Sequence, residues 1–183
     1  EQLDISNALM NSNLGDAEKV IVRLPKRWSS DPRGDQVRLL KCLYGLKISP
    51  RKWFDTYKAF LLEDGWEMCE KEPGLFRKLD KYGNKMMISV YVDDSFIVGA
   101  IRQQIKYGVD RILARFPGKV IPADVEADGK HVRDVIGTTL RYNREKREMS
   151  FDMDKAIGRL LKKFNMETCR TTATPCIPGL EAR

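Results

Sequence analysis

The tetrapeptide Tyr91-Val92-Asp93-Asp94 sets two adjacent carboxylates between two apolar runs, Met86-Met87-Ile88-Ser89-Val90 and Ser95-Phe96-Ile97-Val98-Gly99. Aspartate is depleted inside strands and favoured at turns, so the order strand, Asp-Asp, strand predicts a hairpin with both acids at one exposed end. Carboxylates held that close repel each other unless a proton or a cation stands between them, and an all-oxygen donor set suits magnesium or manganese. An isolated Asp-Asp turn is also a common solvated feature, so the metal reading needs support from elsewhere in the chain. Asp4 offers it. It lies near the end of the strand-like run Gln2-Leu3-Asp4-Ile5, just before a turn. The end of one strand can lie beside the tip of a neighbouring hairpin, so a third acid is expected beside Asp93 and Asp94. Two divalent ions about 4 Å apart, held by such acids, lower the pKa of an attacking hydroxyl and stabilise a leaving oxygen in an in-line displacement at phosphorus. That chemistry needs no histidine, and His131 is the single histidine of the chain.

The 183 residues are enough for one domain, or one and a part. A core of that size buries roughly two-thirds of the surface that the unfolded chain exposes. Apolar content of 42% with 32% charged residues argues against disorder. Lysine and arginine number 33 against 26 acids, for a net charge of +7, and the surplus is concentrated between Lys19 and Lys58. Such a surface attracts polyanions. Cys42, Cys69, Cys169 and Cys176 form no CxxC pair, which argues against a structural zinc site and reads as buried or free thiols in a reducing compartment. No stretch approaches a membrane span and no signal peptide opens the chain, so an intracellular protein without membrane association is expected. The abrupt start within a strand suggests a fragment.

The elements that must position the acids follow from periodicity. Strands are expected at residues 2–5, 20–24 and 37–41, the last two paired across a loop at 25–35, and a turn or helical turn at 7–14. Ser49-Pro50 starts a helix, with serine as N-cap and proline at the first helical position. Behind it Trp53, Tyr57, Phe60 and Leu61 recur at helical spacing and are expected in the core, and Gly65 ends the helix. A strand at 75–79 and a turn at 80–84 lead into the Asp-Asp hairpin. A helix at 101–116 carries Ile105, Val109, Ile112, Leu113 and Phe116 on one face. Residues 117–130 read as irregular, 135–141 and 148–153 as a second hairpin across 143–147, 154–164 as a helix, and 171–183 as a linker tail. This is an α+β plan, an antiparallel sheet with helices on one face.

Three segments resemble, in order and spacing, motifs of the reverse transcriptases of copia-type LTR retrotransposons: Gln2 to Leu9, Leu43-Tyr44-Gly45-Leu46-Lys47-Ile48-Ser49-Pro50-Arg51-Lys52-Trp53, and Tyr91-Val92-Asp93-Asp94. The Thr174-Pro175 segment resembles the end of the polymerase region in that family. The resemblance covers nearly the whole chain. It implies a right-hand polymerase palm over residues 1–130, with a partial fingers insertion at 20–48, and the end of the palm with a thumb-like hairpin and helix over 131–170. The implied activity is RNA-directed DNA synthesis by two-metal nucleotidyl transfer to a primer 3′-hydroxyl, with RNA or DNA template, primer and deoxynucleoside triphosphates as partners.

By the same resemblance, Asp4, Asp93 and Asp94 are the catalytic acids, and the Ile5 carbonyl completes the shell of two magnesium or manganese ions. Leu9 falls where a bulky, usually aromatic residue meets the sugar. Tyr44, Gly45, Lys47 and Ser49 shape the nucleotide and template side of the cleft, and Tyr91 and Val92 lie near the primer end. Leu9 departs from the aromatic of that pattern and Ile48 from its glutamine. The fingers and RNase H segments of the parent polyprotein are expected as missing partners. The implied location is cytoplasmic, in the virus-like particle of the element, or nuclear. A different class of protein also accounts for the departures: an inactive or domesticated remnant that binds nucleic acid or a protein.

Overall fold

Leu3 and Ile5 are buried while Asp4 between them is partly exposed, the period-two signature of a strand with one face on a core. In the computed structural model, which describes residues 1–171, these residues form β1 (Gln2–Ile5). A 3-10 turn, Ala8–Asn11, follows. Next comes an antiparallel ribbon of β2 (Ile21–Arg23) and β3 (Gln36–Arg38), paired with Val22 opposite Val37; their loop holds a second 3-10 turn, Lys26–Trp28. Then come α1 (Ser49–Glu63), β4 (Glu67–Met68), β5 (Leu75–Leu79), β6 (Lys85–Tyr91), β7 (Asp94–Gly99), α2 (Arg102–Arg115) and β8 (Gly118–Ile121). These complete a first compact unit, Glu1–Pro122. A second begins at Ala123 and holds β9 (Asp124–Val125), β10 (His131–Val135), β11 (Thr138–Asn143), β12 (Glu148–Asp152) and α3 (Asp154–Lys163).

The first unit is built on a six-stranded sheet in the order β4-β5-β6-β7-β1-β8, with every neighbour antiparallel. Its core lies on one face. Leu3, Ile5, Phe76, Met86, Ile88 and Ile97 from the strands meet Trp53, Tyr57 and Leu61 of α1 and Val109 and Ile112 of α2. The aromatic stripe expected in the core is there: Trp53 and Tyr57 stack at 5.2 Å, and Phe116 sets its edge against both and against Phe60. After α1 the chain reverses at Gly65, whose φ of 84° lies in the left-handed region open to glycine. The second unit has a four-stranded antiparallel sheet, β12-β11-β10-β9. The architecture is α+β, as its sequence predicts. Among the described residues no helix is long and apolar enough to cross a membrane.

Several local expectations are corrected. Ser49 is not the N-cap: Ile48 takes that place, Pro50 is the second helical residue, and the fully buried Ser49 hydroxyl donates to the Leu43 carbonyl at 2.7 Å. Serine reads as a cap because its hydroxyl seeks a backbone partner, and here it finds one in the preceding loop. Residues 117–130 are not irregular, since they contain β8 and β9. Prolines at 117 and 122 hid a four-residue strand that forms by pairing along β1. The 135–141 strand is also redrawn. Its first residue ends β10, and Ile136 and Gly137 make a tight turn with φ of 53° and 78° into β11. Isoleucine is no turn former, so pattern reading passes over this reversal. The two-residue β4 lay below what periodicity resolves. The linker expected from 171 and the Thr174-Pro175 segment lie, beyond Thr171, outside the described residues.

Candidate active site

Strand pairing places four polar side chains in one row across the sheet. Asp4 of β1 stands opposite Asp94 of β7 on one side and Lys119 of β8 on the other, and Asp94 stands opposite Tyr91 of β6. Directly paired residues project to the same face. Because Leu3, Ile5, Ser95 and Ile97 fill the helix-covered face, the row Tyr91, Asp94, Asp4, Lys119 occupies the other one. The Tyr91 side is exposed, and Asp93 and Asp94 are half-buried. Like charges in direct cross-strand register destabilise a sheet, so the Asp4–Asp94 pair has an electrostatic cost that folding alone does not require. In this structure Lys119 offsets part of it, its Nζ lying 3.4 Å from the Asp4 carboxylate.

Asp93 sits beside this row in the two-residue turn Val92-Asp93 that closes β6 onto β7. Val92 has φ of 53°, an unfavourable conformation for a β-branched residue. Two contacts hold the strained turn. The Trp53 indole N–H of α1 donates to the Val92 carbonyl at 2.5 Å, and the Ile5 amide donates to the Asp93 carbonyl at 2.9 Å. Beneath Asp94, the Tyr57 hydroxyl and Ser95 Oγ share a buried hydrogen bond of 3.1 Å, and burial pushes the Tyr57 phenol up to about 12. Strand β8 approaches β1 closely enough that a Cβ at Gly118 would stand 2.6 Å from the Asp4 carbonyl oxygen. The acids are therefore carried by β1 and a hairpin tip clamped from α1, not by free loops.

The remaining sequence-predicted residues are distributed as follows. Ile5 adjoins Asp4 and its amide contacts Asp93. Leu9 is buried in the core with Ala8, Leu3 and Ile5. Tyr44 is exposed in a turn where Gly45 has φ of 92°, Lys47 is exposed, and Ser49 is buried at the start of α1. Tyr91 and Val92 flank the acids at the tip. Pattern reading missed two residues of the site. Lys119 lay in a stretch read as irregular, where the run Lys119-Val120-Ile121 between prolines was the available signal. Trp53 was read as core alone, although its indole N–H requires a partner once buried.

An all-oxygen set with two carboxylates in register on an open sheet face fits a hard divalent cation better than zinc or iron. Among the described residues no three His, Cys, Asp or Glu side chains converge into a closed cage. The site as it stands is thus a facing pair, Asp4 and Asp94, with Asp93 adjoining.

Comparison with known proteins bears on what such a site serves. The family described as reverse transcriptase (RNA-dependent DNA polymerase) matches residues 1–178. The retrovirus-related Pol polyprotein from transposon TNT 1-94 of Nicotiana tabacum is 26% identical over 176 residues, which is 96% of this chain and 12% of that protein. The transposon Ty1-NL2 Gag-Pol polyprotein of Saccharomyces cerevisiae is 27% identical over 182 residues, 98% of this chain and 10% of that protein. The chain spans about a tenth of the length of these curated relatives. With nearly all of its residues matched by one family, the chain belongs to the reverse transcriptase (RNA-dependent DNA polymerase) family, alongside polyproteins of copia-type retrotransposons.

Proposed function

We propose that this chain is the palm-centred part of a copia-like reverse transcriptase and extends a primer 3′-hydroxyl with deoxynucleoside triphosphates on an RNA or DNA template. The observation that carries the reading is the in-register pair Asp4 and Asp94 on the open face of the sheet, beside Asp93, in a chain of this family. Asp4, Asp93 and Asp94, with the Ile5 carbonyl, would hold two magnesium or manganese ions. Such ions, when bound, acidify an attacking hydroxyl and stabilise a leaving oxygen. The work of the chain itself is positional. Strands β1 and β7 fix the spacing of the acids, Trp53 fixes the tip, and Lys119 neutralises Asp4 until the acids take up a ligand. Tyr91 and Val92 flank the primer end, and Tyr44, Gly45 and Lys47 line the approach of template and nucleotide, while the buried Ser49 holds that turn from beneath through its hydrogen bond to the Leu43 carbonyl. Leu9, buried as it is, supports the sugar side from beneath.

The first unit serves as palm, with the β2–β3 ribbon as a partial fingers insertion and the second unit as the end of the palm and start of a thumb. The relatives named above are Gag-Pol or Pol polyproteins, which supports other polyprotein segments as partners. Primer extension with magnesium or manganese tests the reading. Synthesis is expected from this chain, or from a longer form carrying more of the parent, and Asp93→Asn is expected to reduce it to background with an unchanged circular dichroism spectrum. Equal activity of Asp93→Asn and parent would overturn the proposal.

A further inference from the structure

Trp28 is 64% exposed, whereas the other two tryptophans, Trp53 and Trp66, are 1% and 3% exposed. Tryptophan side chains are highly buried on average, but a single exposed one needs no ligand to explain it, so the reading of Trp28 rests on the order and the charge of its surroundings. The segment is ordered by its own hydrogen bonds. The Trp28 amide donates to the Pro25 carbonyl at 2.8 Å, and Leu24 donates to the Asp35 carbonyl at 2.8 Å. The Ser29 hydroxyl is the hub of the loop, donating to Asp35 Oδ2 at 2.9 Å and accepting from the Asp35 amide at 2.7 Å. The conformational cost of presenting the indole is thus met before any ligand arrives.

The surroundings select the ligand. The Arg27 guanidinium lies 4.7 Å from the Trp28 ring centroid and covers one face of it. Between Lys19 and Arg38 there are six basic residues, Lys19, Arg23, Lys26, Arg27, Arg33 and Arg38, against two acids, Asp31 and Asp35. Both acids are engaged inside the loop, Asp31 with the Arg33 amide and Asp35 with Ser29 and Ser30. Arg33 is also paired with Asp31 at 3.5 Å and Arg38 with Asp16 at 2.9 Å, so the outward cationic charge rests on Lys19, Arg23, Lys26 and Arg27. A rigid indole backed by a guanidinium in a cationic field stacks an unpaired base and attracts its phosphates.

We propose that Trp28 and Arg27, at the tip of the β2–β3 ribbon, form a stacking platform for single-stranded nucleic acid. This rests on the polymerase reading for its context, and its test is independent of catalysis. The part of the full chain's emission that Trp28→Ala removes reports on Trp28, the exposed tryptophan beside the buried Trp53 and Trp66. Titration with single-stranded oligothymidylate in the presence of a chelator should quench that emission saturably, with the same midpoint as the anisotropy of a labelled strand. Trp28→Ala should weaken binding about tenfold, Trp28→Phe by much less, because a phenyl ring still stacks. Arg27→Ala should lower the slope of log affinity against log salt by about one. Both exposed-site variants should melt with the parent.

Unchanged affinity in a folded Trp28→Ala variant, or binding by anisotropy without quenching, would overturn the platform and leave a polypeptide contact as the use of Trp28. Primer extension with an unaffected Trp28→Ala affinity would remove the platform and keep the polymerase. Quenching without extension would keep the platform and remove the polymerase.

Discussion

At the scale of the residue, the site depends on a conformation that Val92 does not favour. A left-handed φ at a β-branched residue costs on the order of 1–3 kcal/mol and persists only where its surroundings impose it. Here the imposing group is the buried indole of Trp53, through its hydrogen bond to the Val92 carbonyl. Trp53→Phe keeps an aromatic ring in the core but removes the donor and some volume. The variant is expected to be less stable by about 1–3 kcal/mol. Its single-turnover extension rate should drop at least about tenfold while primer-template affinity is retained, since a loosened tip misplaces Asp93 and Asp94. Denaturant unfolding beside single-turnover kinetics at low temperature checks both. An unchanged rate in the folded variant would show that the tip does not need the indole.

At the scale of the element, β8 decides how Asp4 is held. It pairs along the whole of β1, brings Lys119 beside Asp4, and is joined to it further by the Ser6 amide donating to the Pro117 carbonyl at 2.8 Å. The close approach depends on Gly118. A methyl group there meets the Asp4 carbonyl oxygen at 2.6 Å and the Ile5 Cα at 3.2 Å, both backbone atoms that cannot swing aside. Gly118→Ala is expected to destabilise the protein by about 1–3 kcal/mol, the usual cost of overpacking. It should also speed hydrogen exchange along β1 and β8 and lower extension activity. Parental exchange rates at these strands would show that β8 accommodates the methyl group without moving.

At the scale of the whole molecule, the first unit is also tied together away from the acids. Asp64, at the end of α1, accepts from Arg111 Nε of α2 at 2.8 Å, from Lys78 Nζ of β5 at 3.1 Å and from the Trp66 indole N–H at 3.2 Å. Burial pushes the Asp64 carboxyl up, but the hydrogen bonds and charges of Arg111 and Lys78 outweigh it and hold the net value below the ordinary range. A carboxyl whose pKa is lower folded than unfolded stabilises the fold above its unfolded pKa, and that contribution is lost as pH falls through the folded value. Stability is therefore expected to decline as pH drops below about 4. Asp64→Asn should lower stability at neutral pH and flatten that acid decline. Asp80 and Asp128 shift in the same direction, so the decline shrinks without vanishing. Urea midpoints across the acid range measure this, and identical pH profiles would exclude Asp64 as a contributor.

What could be read in advance divides along a physical line. Features set by the nearest few residues were legible in the chain: the alternation around Asp93 and Asp94, the helical recurrence of Trp53, Tyr57 and Leu61, the helix stop at Gly65 and the pairing of the β2–β3 ribbon. From these followed the α+β class, and with the motif resemblance the family. Features that exist only because distant segments meet were not legible. Strand β8 has too few residues to announce itself and forms because β1 offers an edge. Ser49 caps nothing because the Leu43 carbonyl lies nearer. The facing of Asp4 by Asp94, anticipated only as proximity, takes its register from backbone hydrogen bonds between segments about ninety residues apart. Local sequence sets conformational preference, but which edge pairs with which, and so which charges stand opposite, is decided by the packing of the whole sheet on α1 and α2.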